Sequence, residues 1–318
     1  MNPVLARELR TRIRDWRSML MMSGYIAVLG GLGLLYLFSV YRQFLWGSSF
    51  GPEIGLGAFL IMAVVQLFGI AFITPAISAG AISGEQERQT FDLLWCTSLK
   101  PAGIVLGKLF ASVAYLLLVM LASMPLYTIM FFFGGLAPGA VALIALLYMC
   151  SGLTYSAIGI MFSTLTRRTT FATVLTYSTV IFIIVGTLVV SGIQWGFAMR
   201  QPASPSQPWL LPPKLLYLNP MVALFSALPG FGGSLPMPFN IGRITPVLRY
   251  HGSVAPPPAP VLAPAWQYHL AFDGLIIVVC VALSILMMSP TGPRSRLLSR
   301  RHRSREDGIS RTGEADKS

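Results

Sequence analysis

The stretch Ile54-Gly-Leu-Gly-Ala-Phe-Leu-Ile-Met-Ala-Val-Val-Gln-Leu-Phe-Gly-Ile-Ala-Phe-Ile-Thr-Pro-Ala-Ile-Ser-Ala79 decides the fold of this chain. It holds no charged side chain. A helix rises about 1.5 Å per residue, so about 20 apolar residues cross a bilayer core about 30 Å thick. Lipid offers backbone groups no water to bond, so the run predicts a membrane-spanning helix. Its apolar residues do not alternate with period two, which excludes a barrel strand. Working outward, five further runs read the same way: Met19–Val40, Leu109–Phe133, Pro138–Thr164, Thr170–Ile193 and Trp266–Ser289. Composition agrees. Of 318 residues, 54% are apolar and 11% charged, where a soluble domain carries about 25% charged. A soluble globular protein and a disordered or collagen-like chain are both excluded. The expected fold is all-α: a polytopic bundle of six transmembrane helices.

The basic residues set the expected orientation. Arg7, Arg10, Arg12, Arg14 and Arg17 precede the first span; Arg88, Lys100 and Lys108 lie between the second and third; Arg167 and Arg168 separate the fourth and fifth. The tail after Thr291 is also rich in arginine. The opposite short loops hold only Arg42. The long loop from Gln194 to Ala265 adds Arg200, Lys214, Arg243 and Arg249, but loops above about 60 residues count little in this rule. Both termini are therefore expected in the cytoplasm. The first apolar run is longer than the signal-peptide core of about 7–15 residues and lacks a small-residue cleavage site, so no cleaved leader is expected. The net charge of +12 comes without a nucleic-acid motif and is read as topology and contact with anionic lipid. Cys96, Cys150 and Cys280 are too far apart for a metal motif or a disulfide framework.

Three domains follow: an N-terminal arm over residues 1–18, a transmembrane domain over 19–289, and a basic tail over 290–318 that is expected to be disordered and to brush anionic lipid. The arm reads as an amphipathic elbow helix. At about 100° per residue, Leu5, Leu9, Ile13, Trp16 and Leu20 share one stripe, and Arg7, Arg10, Arg14 and Arg17 share another. Such a helix lies along the membrane surface with Trp16 at the interface. It either anchors the first span or also meets a cytoplasmic partner.

The loop over about residues 81–108 is the most informative. Pro75 is expected to bend or end the second span. Ala76, Gly80 and Gly84 form a ladder of small residues that permits close helix approach. Ser83 and Gln86 fit a capping box, so a new helix is expected from about Ser83 to Trp95. Glu85 and Glu87 suit its positive N-terminal end. Phe91, Leu94 and Trp95 give it an apolar edge outside the bilayer that needs something to dock on. Lys108 is expected to snorkel to the headgroups.

Three segments resemble a known family: Asn2-Pro-Val-Leu-Ala-Arg-Glu-Leu9, Gly84-Glu-Gln-Glu-Arg-Gln-Thr-Phe-Asp-Leu-Leu94 and Ser98-Leu-Lys-Pro-Ala-Gly-Ile-Val-Leu-Gly-Lys108. With Leu218-Asn-Pro220 and the six-span layout, they look like permease subunits of ATP-binding-cassette transporters, of the second exporter-type class. Gln86, Gln89 and the long Pro-rich loop over about residues 194–265 depart from that pattern. The resemblance implies a non-catalytic membrane subunit in a prokaryotic plasma membrane, paired with a second permease copy or homologue. A separate dimer of cassette ATPases would bind ATP and Mg beneath it. It implies a coupling helix in the loop after the second span, which maps here to Ser83, Gly84, Glu85, Glu87, Arg88, Thr90, Phe91 and Leu94. It implies substrate movement, in the export direction.

No ATPase motif stands in the chain itself. Gly103-Ile-Val-Leu-Gly-Lys-Leu109 has one residue too few between its glycines and lacks the hydroxyl that a phosphate loop needs for magnesium. No cofactor or metal is expected in this chain. In the long outer loop, Asn219 caps and Pro220 starts a short helix to Leu228, either dipping into the membrane or packed as a lid on the bundle. Asp273 is the sole acid within a predicted span. Its place two turns from Trp266 favours a solvated or helix-capping acid over a proton or substrate site. Ser151, Thr154, Tyr155, Ser156, Thr176, Ser178 and Thr179 either line an inner face or hold helices together. An ion-driven carrier or channel would need charged relays in mid-membrane, and only Asp273 is there. A membrane enzyme finds no histidine pair among His251, His269 and His302. A scaffold that uses the same ATPase coupling without transport is the remaining alternative.

Overall fold

The structure is a computed structural model that describes residues 16–45, 53–89, 101–132, 137–166, 168–200, 209–210, 213–228, 247–248 and 264–288. The predicted elbow positions Arg7, Arg10 and Arg14, the loop positions Thr90, Phe91 and Leu94, and the basic tail lie outside the described residues.

The chain is a bundle of helices. In order they are α1 (Trp16–Leu45), α2 (Glu53–Ser78), α3 (Ser83–Glu87), α4 (Pro101–Phe132), α5 (Pro138–Leu165), α6 (Thr169–Ile181), α7 (Thr187–Arg200), α8 (Pro220–Ala227) and α9 (Ala265–Met288). A π-helical stretch, Phe182–Gly186, joins α6 to α7, and a 3₁₀ turn, Lys214–Leu218, precedes α8. Trp209–Leu210 and Val247–Leu248 pair as a short antiparallel ladder. Among the described residues six stretches are long and apolar enough to cross a membrane: Met19–Arg42, Ile54–Glu87, Pro101–Ile129, Pro138–Leu165, Thr169–Arg200 and Ala265–Met288. Each overlaps one predicted span, so the chain is a multi-pass membrane protein.

Helix α5 is the hub and packs against α9, α2, α4, α6 and α8. One core cluster joins Phe59 and Ile70 of α2, Leu116 of α4, Tyr148 and Tyr155 of α5 and Leu224 of α8. A second joins Ile82, Val105 and Ile158 towards the opposite end. Side chains that reach backbone carbonyls across helices lock the register: Tyr148 donates to the Ala63 carbonyl at 2.6 Å and Tyr177 to the Phe72 carbonyl at 2.7 Å. Helix α1 is peripheral and packs on α2 and α4. Its Tyr25 ring lies over Gly69, where a Cβ would come within 2.5 Å of the ring, and its hydroxyl donates to Gln66. Trp16, the one predicted interfacial residue whose side chain is described, opens α1 and is 67% exposed.

Of the two outcomes expected at Pro75, the second span does not end there. Helix α2 runs through Pro75 to Ser78, with the Ala79 N–H bonding the Pro75 carbonyl at 2.9 Å. The next helix, from Ser83, ends at Glu87, and the rest of the expected stretch, residues 90–95, lies outside the described residues. Gln89 takes a left-handed conformation, φ 56°, and a left-handed residue just past a helix stops it.

Candidate functional site

Two polar constructions stand apart in the bundle, one near the C-terminal end of α5 and one around α8 that reaches the middle of α5. The first holds α3. The expected Ser83 cap is not formed: the Ser83 hydroxyl instead donates back to the Ala79 carbonyl at 3.2 Å. The cap comes from another helix. The Ser163 Oγ of α5 accepts from the Ile82 and Ser83 N–H groups, each at 2.9 Å. That hydroxyl thus meets two donors a helix start leaves unpaired.

Glu85 reaches α4. Its Oε1 lies 2.8 Å from the Lys108 ammonium, whose side chain is only 2% exposed. Lys108 therefore does not snorkel to headgroups as expected. It points into the bundle because a carboxylate one loop earlier pairs with it, and burial of an ammonium requires such a partner. Lys108 also sits within a membrane helix, which disposes of the near-match to a phosphate loop.

Glu87 reaches α6. Its two carboxylate oxygens accept from the Thr169 N–H at 2.9 Å and the Thr169 hydroxyl at 2.7 Å. The start of α6 has no side-chain cap from Arg168, so Glu87 supplies it and places negative charge at the positive helix end. Gly80 and Gly84 are not required for the approach of α6, since a Cβ on either would stand 3.9 or 3.5 Å from the Thr169 methyl, ordinary contact. Gly159 of α5 is tighter, since a Cβ there would fall 2.1 Å from Ser78 Oγ and 3.2 Å from the Ala79 backbone nitrogen. Three helices thus grip five residues. Glu87, Arg88 and Gln89 face outward, whereas Ser83 is buried and Gly84 and Glu85 are partly so.

The second construction joins α8 to the bundle. Asn219 is fully buried. Its side-chain oxygen accepts from the Met221 and Val222 N–H groups at 2.8 and 3.4 Å, the expected cap. Its amide nitrogen also donates to the Ile183 carbonyl at 3.3 Å, the Ile184 carbonyl at 2.6 Å and the Thr187 hydroxyl at 2.7 Å. Those carbonyls belong to the π-helical stretch, where the usual i→i+4 bonding is interrupted. Helix α8 runs Pro220–Ala227 and buries Val222, Ala223 and Leu224 almost completely, so it packs within the bundle.

Beside it, Asp273 is buried, 2% exposed, and is neither solvated nor a helix cap. Its Oδ2 lies 3.3 Å from the Ser151 hydroxyl and 3.4 Å from His269 Nε2. Counting turns from Trp266 misplaced it because the 3₁₀ turn and α8 cover that part of α9. Of the predicted hydroxyl set, Ser151, Thr154, Tyr155, Ser156 and Thr176 are buried, whereas Ser178 is exposed and Thr179 partly so. Sequence reasoning missed His269, Ser163 and the Lys108 pairing. The spacing His269–Asp273, one helical turn, was the available signal for the first.

Residues 3–289 match the family model described as ABC-2 family transporter protein. No curated protein matches the chain. The match covers most of the chain, and with six apolar helices it places the protein in that family, as the membrane permease component of an ATP-binding-cassette transporter.

Proposed function

We propose that this ABC-2 family member exports a substrate across a prokaryotic plasma membrane by coupling to a separate dimer of cassette ATPases, with a second permease copy or homologue beside it. The α3 end faces the cytoplasm, as the distribution of arginines in the sequence suggests, and α3 is the coupling element. ATP and Mg act on the partner, which closes and pushes on α3.

The observation that carries this reading is the grip on α3. A five-residue helix is too short to be stable alone, yet Ser163, Lys108 and Thr169 tie it to α5, α4 and α6. Force applied to its outward face reaches three spans together. Shifting a two-state bundle from 1:99 to 99:1 needs about 5.5 kcal/mol of differential binding. One exposed ion pair contributes at most about 1 kcal/mol, so the load requires a multiply anchored element of this kind. The exposed Arg88 and Gln89 are left to meet the partner.

The test is a cysteine at position 88, in a Cys96→Ser background, in cells that co-express a cassette ATPase. Cross-linking to the ATPase, with loss of ATPase stimulation in Arg88→Glu and normal membrane insertion, is the expected result. A position-88 cysteine that labels only from outside the cell refutes the orientation. One that labels from inside but never touches an ATPase refutes the coupling.

A further inference from the structure

The Ser151, His269 and Asp273 side chains form a closed triangle with edges of 3.1, 3.3 and 3.4 Å. All three residues are at most 2% exposed. The other ring nitrogen, His269 Nδ1, lies 3.1 Å from the Leu218 carbonyl. A carbonyl can only accept, so Nδ1 carries a hydrogen. That leaves Nε2 of a neutral imidazole as an acceptor, and it faces the Asp273 carboxylate, also an acceptor. The Ser151 hydroxyl has one hydrogen and two acceptors before it. That hydrogen serves one edge and the Thr154 hydroxyl is a second donor beside the carboxylate, but the edge between His269 Nε2 and Asp273 Oδ2 joins two acceptors and needs a hydrogen of its own.

We propose that Ser151, His269 and Asp273 form a proton-binding site that holds one exchangeable proton between imidazole and carboxylate while α8 is seated. With it, the group is neutral overall, as a histidine with a carboxylic acid or as an imidazolium carboxylate. Without it, a net negative charge stands buried in an apolar bundle, a costly arrangement. The titratable groups facing the pair from α5 are Cys150 and Tyr155, which carry no positive charge. Helix α8 has no titratable side chain. Lys214 of the 3₁₀ turn is exposed, and Lys108 of α4 is engaged with Glu85. A metal is a poorer occupant, since zinc takes four ligands and no cluster of three His, Cys, Asp or Glu occurs among the described residues.

The site links proton binding to structure. The seated state binds the proton more tightly than an opened, hydrated one. It is therefore favoured at low pH, and its stability falls as pH rises through the seated-state affinity. Opening requires the Leu218 carbonyl to leave His269, so proton loss loosens the 3₁₀ turn and α8.

The full chain in lipid nanodiscs tests this. Infrared difference spectra between about pH 6 and about pH 9 bracket the range where a histidine-linked proton moves. The expected result is loss of a carboxylic-acid or imidazolium band at high pH, shifted in heavy water and missing from both Asp273→Asn and His269→Gln. Hydrogen exchange on the unaltered chain needs no variant to fold. Across the same range the protection factor of the α8 amides falls about tenfold or more, the change of one proton equilibrium displaced by about one pH unit. A spectrum that both substitutions leave unchanged, or an α8 protection factor that stays constant, overturns the proposal.

Discussion

Asn219 has two jobs that a pair of substitutions separates. Its oxygen caps α8, and its nitrogen serves the carbonyls of the π-helical stretch. Asn219→Ala removes both. Loss of the cap costs about 1 kcal/mol, and leaving the buried Ile184 carbonyl without its 2.6 Å donor costs a further 1–3 kcal/mol or so. The sum is about 2–4 kcal/mol. At roughly 2–4 °C per kcal/mol for a protein of this size, the unfolding midpoint drops by about 10 °C. Asn219→Asp is the decisive variant. Aspartate caps helices as well as asparagine does, so it keeps the oxygen's role. It has no hydrogen to give, however, and sets a carboxylate oxygen against the Ile184 carbonyl in a fully buried place. It is therefore expected to be no more stable than the alanine variant. The assay is thermal exposure of the buried Cys280 thiol to a maleimide dye, on purified chain in detergent and in nanodiscs. An aspartate variant that melts with the wild type would show that only the cap matters and refute the reasoning.

Other outcomes follow from the α3 grip. Gly159→Ala forces a methyl against Ser78 and the Ala79 backbone and is expected to cost about 1–3 kcal/mol; Gly139→Ala, with open space around it, is the control and leaves the melting midpoint unchanged or slightly raised. Ser163→Ala removes the acceptor for the Ile82 and Ser83 N–H groups, so those two amides exchange with solvent faster while the α8 amides do not change. Gln89→Gly relieves a left-handed side-chain position and raises stability by up to about 1 kcal/mol, whereas Gln89→Val lowers it, both read by the same melting assay. Glu85→Ala strips the buried Lys108 of its carboxylate and destabilises more than Lys108→Met, which removes the buried charge itself.

What the sequence made legible follows the range of each interaction. The six spans were readable because hydropathy over about 20 residues is a property of contiguous chain. The cap at Asn219 with Pro220 behind it was readable for the same reason, since both act on the next few residues. The start of α3 was placed correctly at Ser83 but for the wrong cause. The cap comes from Ser163, 80 positions away, and no local pattern reveals it. Lys108 was misread because basic residues at span ends ordinarily reach headgroups; only the folded chain brings Glu85 under it. Asp273 was misread because depth was counted from one helix's own start, and a segment from the preceding loop covers that start. The donor role of Asn219 was invisible, because a π-helical stretch is not marked by any residue pattern in Phe182–Gly186.

Helix α5 connects these observations. Ser163 near one end caps α3, and Ser151 twelve positions earlier on the same helix touches His269 and Asp273. Twelve residues span about 18 Å of helix. A rigid rod of that length, gripped near its C-terminal end by α3 and joined at its middle to His269 and Asp273 of α9, moves both constructions together. Under the proposed coupling, a push on α3 that displaces α5 along its axis must strain the two edges at Ser151, 3.1 Å to His269 and 3.3 Å to Asp273. Opening at the α8 end then requires no signal of its own. It requires only that the triangle break before the Ser163 cap does. The cap is two short bonds of 2.9 Å to backbone donors, whereas the Ser151 edges of the triangle are longer, 3.1 and 3.3 Å. The weaker join therefore lies at the α8 end, and the rod transmits motion there rather than releasing α3.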